Sequence, residues 1–289
     1  MSRKLLFGCS LAIVYLVWGS SYLAMHWALQ AFPPHLLAGL RGFTAGSAML
    51  VVLWWRGVPL PTPIECRNAT AAGMLLSLSS GMISVGIQSV PTSTAAILVA
   101  TVPIFASLIA ALCGIRVQWR EWLGIAVGFV GIGLLNEQGA VTGINAGNLT
   151  ILFGALCWAL GSHLSARLRL PANIIMSSAL QIMLGGAVML AYAWWTGERV
   201  EGAISIGSWS GFVYLCLFGS LLGYCAYNYL VRHGSAAIAN SYAYVSPVVA
   251  VLLGAILLSE KVTPQTLLAM SIIIAAVALV FWSHYRRPR

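Results

Sequence analysis

Leu40-Arg41-Gly42-Phe43-Thr44-Ala45-Gly46-Ser47-Ala48-Met49-Leu50, followed by Trp54-Trp55, recurs farther along the chain. Its match is Leu180-Gln181-Ile182-Met183-Leu184-Gly185-Gly186-Ala187-Val188-Met189-Leu190, followed by Trp194-Trp195, at an offset of 140. Trp18 and Trp158 keep the same offset, each with Gly-Ser close behind (Gly19-Ser20 and Gly161-Ser162). Pro103 and Pro247 match at an offset of 144. Each match is short, but their common order reads as one unit written twice, over residues 1–140 and 141–289.

The repeated stretch is apolar almost throughout, and so is the rest of the chain. Of 289 residues 60% are hydrophobic and only 7% charged, against about a quarter charged in soluble domains. Mean hydropathy is +0.90. These values exclude an ordinary soluble enzyme, a disordered tail and a nucleic-acid module. Proline, glycine and charge clusters divide the chain into ten runs near 5–29, 34–55, 68–89, 92–112, 119–136, 147–167, 172–196, 208–231, 235–258 and 264–284. About 20 apolar residues cross a bilayer as a helix. Lipid offers no water to an open backbone, so runs of this length are helical. The expected fold is an all-α polytopic membrane protein of ten transmembrane helices. The Arg3-Lys4 start, without a clear small-residue cleavage site, reads as an uncleaved first span.

The charges orient these spans. With the N-terminus in the cytoplasm, Arg3, Lys4, Arg56, Arg67, Arg116, Arg120, Arg167, Arg169, Arg232, Arg286, Arg287 and Arg289 fall at the cytoplasmic ends. Only Arg199 and Lys261 fall at the other ends. That is a decisive positive-inside bias and puts both termini in the cytoplasm. Five spans per copy is an odd number, so the second copy enters the membrane inverted. Arg116 and Arg120 after span 4 lie inside, whereas Glu260-Lys261 after span 9 lie outside. Inverted repeats are the mark of secondary transporters.

Polar side chains recur at helical spacing on several spans. Span 3 carries Ser77, Ser80, Ser84 and Gln88, and span 8 carries Cys216, Ser220, Tyr224, Tyr227 and Asn228. Span 1 adds Trp18, Ser20 and Tyr22, span 6 adds Trp158 and Ser162, and span 9 adds Asn240, Ser241, Tyr242 and Tyr244 before Pro247. Such faces either bond neighbouring helices or line a polar cavity. The candidate substrate-binding set is Trp18, Ser20, Tyr22, Ser84, Gln88, Trp158, Ser162, Tyr227, Asn228, Tyr242 and Tyr244. Pro103 and Pro247 lack the N–H that the carbonyls of Val99 and Ala243 would meet, and matched kinks suit a gate as well as a static bend. Arg41 is the one charge well inside a span, roughly 10 Å from its start. Such a charge is costly and marks either a functional site or a side chain reaching for the interface. Gly42 and Gly46 have the spacing for close helix approach, within the chain or in a dimer.

Other features are missing. All six acids are Glu, and none lies deep in a span. Proton coupling through a buried carboxylate is therefore disfavoured; a histidine such as His163 would have to serve, or transport runs down a gradient. No P-loop, catalytic constellation or metal spacing is present, and the six cysteines read as small packing residues. No cofactor, metal, nucleic acid or ATPase is expected as partner, only a small-molecule solute and lipid, with the protein a monomer or weak dimer. A receptor or assembly subunit also fits ten spans, but the inverted charge pattern favours a transporter.

The repeat, the Trp18-Gly19-Ser20 turn, Arg41, the proline pair and the stretch Ser241-Tyr242-Ala243-Tyr244-Val245-Ser246-Pro247-Val248-Val249-Ala250-Val251-Leu252-Leu253-Gly254 with Glu260 resemble the EamA-type members of the drug/metabolite transporter superfamily. The similarity covers nearly the whole chain and is greatest to bacterial inner-membrane exporters of the YedA type. It implies export of amino acids, related metabolites or amphipathic drugs by alternating access, through a central cavity ringed by spans 1, 3, 4, 6, 8 and 9.

Overall fold

A computed structural model describes residues 3–114, 119–135, 145–233 and 242–285. Among these residues all regular structure is helical: α1 (Arg3–Ala28), α2 (Pro34–Trp55), α3 (Pro63–Ile87), α4 (Thr92–Val99), α5 (Val102–Leu112), α6 (Trp119–Leu135), α7 (Ala146–Arg167), α8 (Ile174–Trp195), α9 (Ile206–Tyr214), a π-helix (Leu215–Leu222), α10 (Gly223–His233), α11 (Tyr242–Leu257) and α12 (Pro264–Tyr285). Seven helical stretches are long and apolar enough to cross a membrane, and α6, α11 and α12 contain shorter apolar ones.

Local chemistry sets the ends. Proline stands at the first turn of α2, α3 and α12, where its missing N–H costs nothing. Before α3, Thr62 and Glu65 form a reciprocal capping box. That box starts the helix at Pro63 rather than at the expected residue 68, so Arg67 is helical. Asn145 and Asn173 cap α7 and α8 by accepting from the backbone N–H groups of Gly147 and of Ile175 and Met176. The repeat is visible at the exits as well. Gly57 and Gly197, again 140 apart, take left-handed φ of 68° and 76° and close α2 and α8. In both cases the next residue returns to the last turn, Val58 N–H to the Leu53 carbonyl and Glu198 N–H to that of Ala193.

The stretches quoted at the outset pack on each other. α2 lies along α8, and α3 lies along both α7 and α8. A Cβ on Gly42 would sit 2.8 Å from the Ile182 carbonyl oxygen, and one on Gly46 2.7 Å from that of Ala179. From the other side, a Cβ on Gly186 would sit 2.5 Å from the Phe43 nitrogen. The small-residue spacing thus serves close approach inside the chain. α1 packs against α9, α10 and α11, and α6 against α12. Trp54, Trp55, Trp194 and Trp195 are left exposed at helix ends, as interfacial tryptophans are.

Candidate functional site

Where α1, α2, α3, α7, α11 and the π-helix meet, a cavity of about 130 Å³ opens around Trp18. Trp18 and Trp158, the matched tryptophans of the two copies, meet edge to face at 6.1 Å between ring centroids. Tyr242 stands edge-on to Trp18 at 4.6 Å, Tyr227 tilts against it at 5.2 Å, and Tyr224 lies 6.0 Å away. Offset and edge-on contacts of this kind put the positive edge of one ring on the negative face of another.

The π-helix shapes this wall. An i→i+5 turn widens the helix and is frequent at functional sites. Here the Trp18 indole N–H donates to the Gly219 carbonyl at 3.2 Å. Arg41 Nε donates to the Ser220 hydroxyl at 3.1 Å, one residue on. Gly223 closes the arrangement, since a Cβ there would sit 2.6 Å from Trp18 Nε1. Replacing Trp18 by phenylalanine removes that bond and also the pyrrole part of the indole, so its ring contacts shrink as well. The expected loss exceeds the roughly 1 kcal/mol of the bond alone, read as a fall in unfolding temperature of the purified protein; an unchanged midpoint would count against the bond.

Of the residues expected to bind solute, Trp18, Tyr22, Trp158 and Tyr242 line the cavity, with Arg41 and Pro247. Tyr227 stands behind Trp18. Ser84 donates to the Ser80 carbonyl in its own helix, and Ser20 bonds Tyr214, so both lie off the cavity. Gln88 and Ser162 are exposed elsewhere. The side chains of Asn228 and Tyr244, and residues Asn240 and Ser241, fall outside the described residues. His26 and His163 do not line the cavity.

Span 4 is interrupted at Ala100-Thr101, with Pro103 in the first turn of α5, whereas α11 continues through Pro247. Val99 and Ala243, four residues before each proline, both line the cavity. Sequence periodicity passed over Ser21, Ser79 and Ser246. They line the cavity too, and the hydroxyls of Ser79 and Ser246 are buried without a partner among the described residues.

The end of the bundle bearing Glu198 and Glu260 is packed with apolar side chains. Met25, Ala28, Phe32, Ile87, Val90, Leu98 and Val251 belong to its apolar cluster. Two carboxylates clasp helix starts above it. Glu198 accepts from the Leu36 N–H at 2.8 Å and meets His35 Nδ1 at 2.6 Å, at the start of α2. Glu260 takes four bonds at the start of α4: the Thr92 N–H and hydroxyl at 2.7 and 2.8 Å, and the Ser93 N–H and hydroxyl at 3.1 and 2.6 Å. Both acids stand just past a helix end turned by a left-handed residue, Gly197 and Ser259. A carboxylate at a helix N-terminus meets free N–H groups and the positive end of the dipole. Burial by itself raises the Glu260 carboxyl pKa, but the bonds from Ser93 and Thr92 outweigh it and hold the group below its ordinary value.

Residues 6–137 and 145–282 each match the EamA-like transporter family. The inner membrane transporter YedA of Escherichia coli (strain K12) is 39% identical over 98% of this chain and 92% of its own. The transporter YvbV of Bacillus subtilis (strain 168) is 23% identical over 93% of this chain and 90% of its own. A chain of known crystal structure, 20% identical, superposes with a TM-score of 0.66 over 96% of both chains, which shows a shared fold.

Proposed function

The chain belongs to the EamA-like transporter family, and from that premise we propose that it exports small amphipathic or aromatic metabolites, amino acids among them, by alternating access through the cavity around Trp18. It is a multi-pass transporter of the plasma membrane. The observation that carries the finer reading is the cavity: an aromatic chamber with hydroxyls and one cation, lined by apolar helices from both halves of the chain. In this reading Trp18, Tyr22, Trp158 and Tyr242 hold the flat part of the solute. Ser79 and Ser246 offer it hydrogen bonds.

We read the ten spans as two inverted five-helix repeats with both termini cytoplasmic. Three of the five spans pack on their counterparts, which supports this: α2 with α8, α4 with α11 and α6 with α12. Counterparts that touch across one line are what a twofold relation between halves produces. The clasped end bearing Glu198 and Glu260 then faces outward and is shut. Pro103 and Pro247 free backbone on the cavity side of spans 4 and 9, where bending reopens it.

Purified protein in liposomes is expected to accelerate flux of at least one solute from a broad panel of amino acids and amphiphiles above that of empty liposomes. Absence of flux across such a panel, in both directions, would sink the proposal. Replacing Tyr242 by alanine is expected to change the order of preferred solutes more than the yield of folded protein.

A further inference from the structure

Arg41 is the one formal charge among the residues lining the cavity. Its Nε donates to Ser220, while no carboxylate among the described residues pairs with it; the ion pair they hold is His35–Glu198. A guanidinium carries five donors in a planar fork, and one bond to a hydroxyl leaves most of them unspent. A cation kept in an apolar bundle without a counter-charge is costly unless something anionic completes it. Around it the lining is aromatic and aliphatic, with hydroxyls and no acid. Two of those hydroxyls, Ser79 and Ser246, are buried and have no hydrogen-bond partner among the described residues.

We infer that Arg41, set by Ser220, is a carboxylate-recognition subsite, and that the solutes of this cavity are small organic carboxylates with an apolar or aromatic body. The free face of the guanidinium takes the carboxylate through charge-assisted bonds, which are short and strong in a low-dielectric site. The rings around Trp18 cover the apolar body. A purely cationic amine finds repulsion from Arg41 and no carboxylate among the lining residues to offset it. The inference rests on the transport reading for the role of the cavity, but binding can be measured without transport.

The test compares acid and amide. Full-length protein in detergent is titrated with phenylacetate and phenylacetamide, and with L-phenylalanine and L-phenylalaninamide, while its unfolding temperature is followed. The acids are expected to raise it and the amides to act only at concentrations at least about tenfold higher, the value of a charge-assisted hydrogen bond in affinity. Arg41→Gln is expected to erase that preference, Arg41→Lys to keep part of it, and Ser220→Ala to weaken it. The acid–amide comparison in the unsubstituted protein needs no variant to fold. Equal responses to acid and amide, no response to either acid, or an undiminished preference in a folded Arg41→Gln protein overturns the subsite. If liposome flux is found for neutral solutes in any of those cases, the transport reading stands alone. If the acids bind through Arg41 but nothing is transported, the subsite stands and the transport reading falls.

Discussion

Replacing Gly73 by leucine is expected to leave little folded protein. Gly73 on α3 and Gly185 on α8 hold the two helices in main-chain contact. A Cβ on Gly73 would run into the carbonyl of Gln181, and one on Gly185 into the carbonyl of Gly73 itself. Neither obstacle is a side chain that could swing away. Overfilling a packed interior costs about 1–3 kcal/mol even where side chains can adjust. With four carbons against a backbone, about 3 kcal/mol or more is expected, a large share of the roughly 5–15 kcal/mol that holds a domain folded. The readouts are the yield of monodisperse protein and its unfolding temperature. Gly73→Ala should already lower the latter. Gly8→Leu is the control, because nothing lies within 4 Å of a Cβ at Gly8. A Gly73→Leu protein as stable as the control would refute the contact.

Glu260→Ala carries the second large effect. It strips four hydrogen bonds from the start of α4 and leaves two backbone N–H groups and two hydroxyls to find other partners. Bonds to a charged group are worth more than neutral ones, and about 3 kcal/mol is expected in total. Glutamine should not rescue, because its NH₂ would face donors where the carboxylate offers an oxygen. The effect should depend on pH in a defined direction. The Glu260 carboxyl is held below its ordinary value despite its burial, by the bonds from Ser93 and Thr92. Its stabilisation is therefore complete above the unfolded pKa, about 4.3 for Glu, and is lost as pH falls through the lower folded value. The gap in unfolding temperature between the native protein and Glu260→Ala should be full at pH 7 and shrink in acid below about pH 4. A gap that ignores pH, or no gap at pH 7, would dispose of the clasp. Under alternating access the same change also unlatches the outer end, so the variant should alter the rate of flux as well as stability.

Much of this was legible in one dimension. The expected runs at 34–55, 92–112 and 147–167 coincide with helices to within a residue or so, apart from the break at Ala100-Thr101. In the candidate site the record is mixed for a physical reason. Helical period shows which side chains share a face, and so it grouped Ser77, Ser80 and Ser84. It does not show where along that face the neighbouring helix ends and open space begins. Ser77 and Ser80 line the cavity, while Ser84 closes on its own helix. Ser79 was missed because it lies off the stripe; Ser246, four residues after Tyr242 on the same helix face, was passed over although that spacing could have found it. The aromatic residues fared better, since a ring large enough to reach across a cavity tolerates errors in facing. Glu198 and Glu260 read only as charges of outer loops. Their partners lie 162 to 168 residues away, and no local pattern connects them.

The sequence by itself determined that this chain is a string of membrane helices in which one pattern recurs at an offset of 140, because apolarity, helical period and the punctuation of Pro and Gly are local properties that lipid enforces. It also singled out Arg41 as the charge out of place. Only the tertiary structure decided that the repeated stretch packs on its own copy, and that the matched tryptophans meet. The same packing set Arg41 beside Ser220 at the π-helix, facing a cavity with no acid among its lining residues. A cavity is the space left between packed surfaces. Its lining depends on contacts between residues far apart in the chain, and those are settled only when all the helices are in place.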